Sequence, residues 1–252
     1  MLLKSDSVAL VTGAARGIGR ATALAYARAG AHVVVSDIHD EEGEALAEEI
    51  QAIGRKSSYV RADVSQESGV RTLLDRVRSD FGRLDYACNN AGIEGEKAFT
   101  MDASVENFDR VIAVNLRGVF LCMRAELPLI LDSGGGAIVN MASVAGLVGF
   151  PSLPAYCASK GGVVQLTRTA AVEYADQGVR INAVCPGAVQ TEMIDRITGK
   201  DEEAVHQFEG LHPMGRFGTP EEIADTAVWL CSEGAGFITG QALAADGGLV
   251  AR

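Results

Sequence analysis

The sequence has a shortage of basic residues and no long apolar run. Its 22 lysines and arginines stand against 33 aspartates and glutamates, which gives a formal net charge of −11. Nucleic acids and anionic membrane surfaces both attract clustered Lys and Arg, so this balance disfavours either partner. No apolar run approaches the roughly 20 residues of a membrane-spanning helix, and the first seven residues lack the apolar core of a signal peptide. We therefore predict no nucleic-acid partner, no membrane partner and a cytoplasmic location.

Cysteine and histidine are also scarce. The five cysteines are widely spaced and never form C-x-x-C, and the four histidines show no ligand spacing such as H-E-x-x-H. This pattern argues against a disulfide framework and a metal site, and it is typical of reduced thiols in the cytoplasm. It also leaves little basis for a histidine-dependent catalytic triad.

The chain does contain a regular alternation of short apolar segments with longer amphipathic ones. The apolar segments are 8–12, 32–37, 58–60, 84–89, 137–141 and 179–184; the amphipathic ones are 17–29, 41–53, 65–80, 104–131 and 155–174. Such alternation is typical of right-handed βαβ units around a parallel sheet with helices on both faces. Because no linker or repeat interrupts it, we predict one α/β domain over residues 1–252, with a doubly wound sheet of about seven strands.

The regularity lapses between about Pro186 and Thr219. Five glycines, two prolines and scattered apolar residues occupy this stretch. Loops of this length inside a compact domain are uncommon and are usually functional or mobile. We predict that residues 186–219 form a lid over a substrate site and carry one or two short helices.

A glycine-rich turn follows the first predicted strand directly. It reads Thr12-Gly13-Ala14-Ala15-Arg16-Gly17-Ile18-Gly19 and opens the first helix. Glycines permit a tight turn and close approach of a diphosphate, which the N–H groups and dipole of a helix N-terminus stabilise. The spacing G-x-x-x-G-x-G differs from the commoner G-x-G-x-x-G, so the turn alone is also compatible with no ligand.

The second predicted strand ends in Asp37, 24 residues after Gly13. In dinucleotide-binding folds an acid at this place accepts hydrogen bonds from the adenosine ribose and repels a 2′-phosphate, which favours NAD over NADP. Arg16 argues in the opposite direction, because a basic residue in the turn could pair with that phosphate. We predict NAD, since close like-charge repulsion excludes the phosphate whereas a flexible arginine only tolerates it.

Tyr156 and Lys160 are spaced i, i+4 at the start of a predicted helix and therefore share one face. A phenol is too weak an acid to release its proton readily at neutral pH, but a nearby ammonium and a positive nicotinamide ring would stabilise the phenolate. Tyr156 could then act as general acid/base on a carbonyl or alcohol oxygen. Ser143, just past a strand end, could hold that oxygen, although a polar residue there is also an ordinary strand terminus.

Together these motifs resemble the short-chain dehydrogenase/reductase family, in its single-domain subgroup of about 250 residues. The resemblance covers essentially the whole chain, with the motifs in the family's order. They are Thr12-Gly13-x-x-x-Gly17-x-Gly19, Asp63-Val64, Asn89-Asn90-Ala91-Gly92, Asn115, Ser143, Tyr156-x-x-x-Lys160, Pro186-Gly187 and Asp246-Gly247-Gly248. The resemblance implies a Rossmann-type fold, an oxidoreductase activity and, as is common in the family, a homotetramer.

The resemblance also implies a role for each catalytic residue. Tyr156 would be the acid/base, Lys160 would lower its pKa and bind the nicotinamide ribose, and Ser143 would position the substrate oxygen. Asn115 would hold a water that links Lys160 to solvent.

The implied cofactor is NAD, and its contacts are distributed along the chain. The implied cofactor-binding residues are Gly13, Arg16, Gly17, Ile18, Gly19, Asp37, Ile38, Asp63, Val64, Asn90, Ala91, Gly92, Tyr156, Lys160, Pro186, Gly187, Val189 and Thr191. Among them, Val189 and Thr191 would bind the carboxamide and so select the nicotinamide face.

The function we expect is hydride transfer between NAD(H) and a secondary alcohol or ketone. The alternatives are a 3-oxoacyl-carrier-protein reductase, which would need a local basic patch such as Arg196, Lys200 and Arg216, and a protein that binds NAD without turnover. The predicted substrate pocket is mostly apolar and suits a neutral, cyclic or aromatic small molecule. Its expected lining is Glu94, Gly95, Glu96, Val144, Ala145, Phe150, Leu153, Met193, Ile194 and Phe208.

Overall fold

A computed structural model of the chain contains a seven-stranded parallel sheet, and it describes residues 3–251. The strands are β1 (Val8–Thr12), β2 (His32–Asp37), β3 (Ser57–Arg61), β4 (Tyr86–Asn89), β5 (Gly136–Met141), β6 (Val179–Pro186) and β7 (Ala242–Ala245). Their order is β3-β2-β1-β4-β5-β6-β7, and each neighbouring pair runs parallel. The order reverses between β1 and β4, which confirms the predicted doubly wound, Rossmann-type sheet.

Helices cover both faces of this sheet. They are α1 (Gly17–Arg28), α2 (Asp40–Ala52), α3 (Glu67–Phe81), α4 (Val105–Ile112), α5 (Gly118–Asp132), α6 (Pro154–Tyr174), α7 (Glu192–Thr198), α8 (Glu202–Gly210) and α9 (Pro220–Cys231). One apolar core lies under α3, α5 and α6, and a second lies under α1, α2 and α9. The apolar strands therefore face helices on two sides, as their uniform hydrophobicity predicts.

The long amphipathic stretch 104–131 is not one regular helix. Ser104 caps α4 by accepting a hydrogen bond from Asn107 N, and a π-helical turn over Ala113–Arg117 then separates α4 from α5. A single π turn inside an α-helix reorients the side chains that it carries, and such turns occur often at functional sites. Asn115 lies in the middle of this turn.

The segment 186–219 contains two short helices, α7 and α8. Its end is marked by Thr219, whose side chain forms a capping box with Glu222 and whose successor Pro220 occupies the first position of α9. This Thr-Pro-Glu-Glu sequence is a recognisable helix start, and it could have located α9 in the sequence.

None of the helices among residues 3–251 is long and apolar enough to cross a membrane.

A buried polar network joins β4 and β5 to α5 and α6. Asn89 Nδ2 donates to Glu126 Oε2 and to Asn140 Oδ1, each at 3.0 Å, and Asn140 Nδ2 donates to Thr167 Oγ1 at 2.9 Å. Glu126 is fully buried, and its burial raises the pKa of the carboxyl from 4.5 to about 7, against the opposing hydrogen bond from Asn89. The folded protein therefore favours the neutral carboxylic acid at this position.

This carboxyl makes stability depend on pH. Between its unfolded pKa of 4.5 and its folded pKa of about 7, the folded state keeps a proton that the unfolded chain has released. Stability therefore falls as pH rises through that window, by at most about 1.4 kcal/mol per pH unit. We expect Glu126→Gln, which keeps an acceptor for Asn89 but does not titrate, to gain stability relative to the unaltered protein over this window.

Urea denaturation of both proteins between about pH 5 and about pH 8 measures this difference. Glu173→Gln, an exposed substitution on α6, is the control and should leave the pH dependence unchanged. An identical pH dependence in the unaltered protein and in Glu126→Gln would contradict a raised pKa at Glu126.

Candidate active site

Two cavities open side by side at the carboxyl ends of the strands, where the strand order reverses. They share the lining residues Ile18, Asn90, Gly92, Glu94, Thr191 and Met193, so they form one continuous cleft. We call the part beside the glycine turn the turn cavity and the part beneath α7 and α8 the apolar cavity. The switch point of an open α/β sheet is where such folds bind their ligands.

The structure brings all the predicted cofactor-binding residues to this cleft. The turn cavity is lined by Gly13, Arg16, Gly17, Ile18, Gly19, Asp37, Ile38, Asp63, Val64, Asn90, Ala91, Gly92 and Thr191. The apolar cavity is lined by the remaining ones, Tyr156, Lys160, Pro186, Gly187 and Val189.

The glycine turn is held against the loop after β4. Asn90 Nδ2 donates to Thr12 O at 3.1 Å and to Gly13 O at 2.9 Å, while Asn90 N donates to Thr12 Oγ1 at 3.1 Å. Gly13 has φ +62°, and a Cβ there would lie 2.7 Å from Ala91 Cα. A Cβ on Gly19 would lie 2.0 Å from Gly13 O. These glycines are thus required for the turn to pack on itself, before any ligand is considered.

The same turn fits a diphosphate. No side chain caps the N-terminus of α1, so no side chain competes for the N–H groups of its first turn. The turn that carries these groups, from Gly13 to Gly19, lines the turn cavity. A helix N-terminus in this state provides hydrogen-bond donors and a positive dipole end for an anion.

Asp37 lies at the far end of the turn cavity and is 9% exposed. Its Oδ2 accepts from Ala15 N at 2.9 Å, and its Oδ1 accepts from Ile38 N at 2.7 Å and from His39 N at 3.1 Å. Three backbone donors fix the carboxylate in place and keep its negative charge at the mouth of the cavity.

Arg16 is not a free cation in this structure. Its guanidinium forms ion pairs with Glu42 of α2 and, at 3.2 Å, with Glu192 of α7. The hydrogen bond that Arg16 donates to the Glu42 carboxylate contributes most to raising the pKa of Arg16. Two carboxylates thus pair with the guanidinium, which could otherwise attract a 2′-phosphate. Sequence spacing does not reveal this pairing.

Ser143, Tyr156 and Lys160 meet in the apolar cavity. Ser143 follows β5 and its Oγ accepts from Ala145 N at 3.1 Å, which starts a short 3-10 turn. Pro154 begins α6, so Tyr156 and Lys160 lie in its first two turns. Lys160 Nζ is 5.7 Å from the centre of the Tyr156 ring and donates to Met141 O at 2.7 Å.

Burial is the largest influence on the pKa values of Tyr156 and Lys160. It raises the pKa of Tyr156 to about 12, with a hydrogen bond from Ser143 acting in the opposite direction, and it lowers the pKa of Lys160 to about 8. The sequence led us to expect that Lys160 lowers the pKa of Tyr156, but the net direction within the chain is upward. Desolvation of the phenol is the largest cause, the Glu94 carboxylate adds to it, and burial also disfavours the charged form of Lys160.

Asn115 lies behind the pair, and the π turn gives its amide three partners. Oδ1 accepts from Ile93 N at 2.8 Å, while Nδ2 donates to Ile93 O at 2.9 Å and to Ser159 Oγ at 3.1 Å. Ser159 Oγ in turn donates to Tyr156 O at 2.7 Å. Both amide hydrogens are used, so the predicted water could bind the side chain only through the second lone pair of Oδ1.

The apolar cavity differs in part from the predicted substrate pocket. Val144, Ala145, Phe150, Leu153, Met193, Ile194, Phe208 and Glu94 line it as expected. Gly95 and Glu96 do not: a Cβ on Gly95 would meet Val111, and Glu96 faces Arg110 at 3.5 Å. The direction of the chain after β4 turns these two residues away from the cavity. The sequence did not show this direction.

Seven lining residues were not foreseen, namely Ile197, Leu211, His212, Ala188, Met141, Ala142 and Leu249. The first four belong to the 186–219 segment, where helical periodicity in 192–198 and 202–210 could have indicated an apolar face. Leu249 comes from the C-terminal segment, which only the fold brings to the cavity.

Glu94 is the one carboxylate among the expected lining residues that stays in the cavity. Its Oε1 accepts from Arg196 Nε at 2.7 Å, and its Oε2 accepts from Arg196 Nη2 at 3.3 Å. This bidentate pair joins the loop after β4 to α7. The guanidinium compensates the negative charge, so the cavity offers no free anion.

Known proteins share this fold and this sequence. A sequence model described as enoyl-(acyl carrier protein) reductase matches residues 13–250. The cyclohexanol dehydrogenase of Acinetobacter sp. (strain SE19) is 46% identical over 243 residues, which cover 96% of this chain and 94% of that protein. The 3-oxoacyl-[acyl-carrier-protein] reductase FabG of Thermotoga maritima is 39% identical over 245 residues, covering 96% and 97%. The crystal structure of levodione reductase has a TM-score of 0.94 and 37% identity, covering 98% of both chains.

The fold and these relatives define an oxidoreductase that uses a nicotinamide cofactor. The chain belongs to the short-chain dehydrogenase/reductase family.

The close packing of the glycine turn can be tested by adding a Cβ at Gly19. We expect Gly19→Ala to lower the free energy of unfolding by about 1–3 kcal/mol, because its Cβ would overlap Gly13 O and Asn90 Nδ2. Gly210→Ala, whose Cβ has open space, is the matched control and should change stability by less than about 0.5 kcal/mol. Urea denaturation measures both, and equal stabilities of the two variants would refute the packing argument.

Proposed function

We propose that this chain is an NAD-dependent dehydrogenase that interconverts a neutral secondary alcohol and its ketone, with Tyr156 as general acid/base. One observation carries the proposal. A buried phenol, a serine hydroxyl and a lysine ammonium converge in an apolar cavity that opens directly onto a cleft built for a dinucleotide.

The cofactor residues would divide along the cleft. The turn from Gly13 to Gly19 would hold the diphosphate, Asp37 the adenosine ribose, and Asp63 and Val64 the adenine. Lys160 would hold the nicotinamide ribose, and Val189 and Thr191 the carboxamide. When bound, NAD accepts the hydride and NADH donates it.

The side chains of the apolar cavity would manage the proton. In alcohol oxidation, Tyr156 would first release its phenolic proton to solvent under the positive charge that a bound NAD supplies; Ser143 would then donate a hydrogen bond to the substrate oxygen while the phenolate Oη takes the hydroxyl proton. In ketone reduction the phenol returns that proton to the developing alkoxide. Lys160 keeps a positive charge near the phenolate, and Asn115 orders the loop at Ile93 and the backbone of α6 through Ser159.

The cofactor preference follows from charge at the mouth of the turn cavity. Asp37 presents a fixed carboxylate where a 2′-phosphate would lie, and Arg16 is already paired with Glu42 and Glu192. The repulsion therefore has no free cation to offset it, which supports NAD over NADP.

The substrate class follows from the cavity walls. They are mostly apolar; besides the proposed catalytic groups, the polar lining residues are Asn90, Thr191, His212 and Glu94, whose carboxylate Arg196 compensates. A neutral cyclic alcohol or ketone fits such walls better than an anion does. One relative, cyclohexanol dehydrogenase, is named for a substrate of this class.

The rival activity, reduction of a carrier-bound 3-oxoacyl chain, has support in the FabG relative. An acidic carrier needs a basic docking patch, and the three cations of the patch predicted from the sequence are each paired. Arg196 binds Glu94, Lys200 faces Asp195 at 3.4 Å, and Arg216 binds Glu222. Because these cations are neutralised, the surface disfavours docking of an acidic carrier protein and hence a carrier-bound substrate.

Three further features complete the proposal. The segment 186–219 would act as a lid, since α7 and α8 roof the apolar cavity and Arg196 ties α7 to Glu94. A homotetramer would cover apolar side chains that α4 and α5 expose, namely Val105, Phe108 and Phe120. The five free thiols support a reducing, cytoplasmic location.

The acid/base assignment predicts the behaviour of Tyr156→Phe. Loss of the phenolic oxygen removes the proton acceptor, so kcat for cyclohexanol oxidation should fall by at least about 10³-fold. NADH affinity, measured by fluorescence titration, should stay within about threefold, because the ring remains in place. Tyr174→Phe, at the far end of α6, is the control and should retain activity. Turnover near that of the unaltered protein in Tyr156→Phe would exclude Tyr156 as the acid/base.

The cofactor assignment predicts the effect of Asp37→Asn. Removing the charge while keeping an acceptor for Ile38 N should raise kcat/KM with NADP relative to NAD by about tenfold or more. Asp40→Asn, also at the C-terminal side of β2 but outside the cleft, controls for a general change in charge and should leave the ratio unaltered. A native preference for NADP in steady-state kinetics would contradict the proposal.

A further inference from the structure

His212 lies between the end of α8 and the loop that follows β6. It is 3% exposed, and its ring borders the apolar cavity on one side. The loop beneath it carries Gly187 and Val189, both of which line the same cavity. A buried histidine at this place is unexplained by the proton chemistry assigned above.

Both ring nitrogens of His212 bind backbone groups. Nε2 accepts from Ala188 N at 3.0 Å, and Nδ1 is 3.0 Å from Phe208 O. An amide N–H can only donate and a carbonyl oxygen can only accept, so the ring is neutral with its proton on Nδ1. No nitrogen is left for proton transfer with a substrate. The arrangement excludes a catalytic role and indicates a structural bridge between two backbone segments.

The bridge completes the fixation of the loop after β6. Gly187 N donates to Ala245 O at 3.1 Å, and Ala188 O accepts from Gly218 N at 3.0 Å. Val189 O accepts from the nearby Thr191 Oγ1 at 3.1 Å, and the hydrogen bond at Ala188 N connects this loop to His212, just after α8. The contact is tight, because a Cβ on Gly187 would lie 2.7 Å from His212 Nε2.

We infer that His212 is a positioning residue. It couples the position of α8 to the position of the backbone that lines the nicotinamide end of the cleft. Through Ala188 it fixes the backbone between Gly187 and Val189, and through Phe208 it ties that backbone to a helix that roofs the apolar cavity. Closure of α8 over a substrate would thereby align the nicotinamide ring for hydride transfer. This inference rests on the proposed function, since it assumes that Val189 contacts the carboxamide.

Two amide substitutions at His212 test its two hydrogen bonds, to Ala188 N and to Phe208 O, separately. The amide of glutamine can place an acceptor near the position of Nε2, whereas the shorter amide of asparagine replaces Nδ1 and leaves Ala188 N without a partner. We expect His212→Gln to keep kcat for cyclohexanol oxidation within about threefold, and His212→Asn to lose about tenfold to hundredfold, as misaligned reactants do. His206→Gln, on the exposed face of α8, is the matched control and should match the unaltered protein.

The isotope effect distinguishes positioning from a loss of folding. With cyclohexanol deuterated at its carbinol carbon, His212→Asn should show a larger primary isotope effect on kcat than the unaltered protein, because hydride transfer becomes rate-limiting. Its NADH dissociation constant should stay within about threefold. Equal turnover and equal isotope effects in the Gln and Asn variants would overturn the inference.

Two further results keep the outcome clear. Should His212→Asn be too unstable to purify, His212→Ala takes its place, because it also leaves Ala188 N without a partner: turnover well below that of His212→Gln supports the bridge, and turnover equal to it overturns the inference. Tyr156→Phe, assayed alongside, tests the proposed function separately. An inactive Tyr156→Phe beside fully active His212 variants would refute only the role of His212.

Discussion

The cleft depends on the close contact between the glycine turn after β1 and the loop after β4. Asn90 holds Thr12 O and Gly13 O, and Gly13 packs so near Ala91 that no Cβ fits between them. These two strands are adjacent in the sheet but are separated by two βαβ units in the chain. Their joining at the switch point forms the base of the turn cavity, and it places Gly92 and Glu94 on the border with the apolar cavity.

Burial shifts the pKa values of the two proposed catalytic groups, Tyr156 and Lys160. The apolar cavity raises the pKa of Tyr156 and lowers that of Lys160, so within the chain alone the phenol keeps its proton. The hydrogen bond from Ser143 acts against this effect, as the positive ring of a bound NAD would. In the proposed function, cofactor binding would therefore also prepare Tyr156 as the base, since the positive charge that favours the phenolate would arrive with the cofactor.

Charge pairing decides much of what the cleft accepts. Arg16, Arg196 and Arg216 would each attract an anion if free, and each is paired with a glutamate: Arg16 and Arg196 with distant ones, and Arg216 with the nearby Glu222. Two of these pairs, Arg16–Glu192 and Arg196–Glu94, also connect α7 to the rest of the cleft. Exposed pairs of this kind contribute little to stability, but here they remove cations from the mouth of the turn cavity and from the apolar cavity. The acidic excess of the sequence thus acts locally on selectivity.

The sequence by itself determined the doubly wound sheet and the residues of the cleft, because glycine spacing, strand hydrophobicity and the Tyr-x-x-x-Lys pattern are local properties of the chain. It also indicated helices within 186–219. Only the tertiary structure decided the partners of Arg16, the outward turn of Glu96, the arrival of Leu249 and the bridge made by His212. Each of these depends on contacts between residues far apart in the chain. Hydrophobic periodicity and motif spacing carry no information on such contacts, because they report which face of an element is buried and not what that face meets.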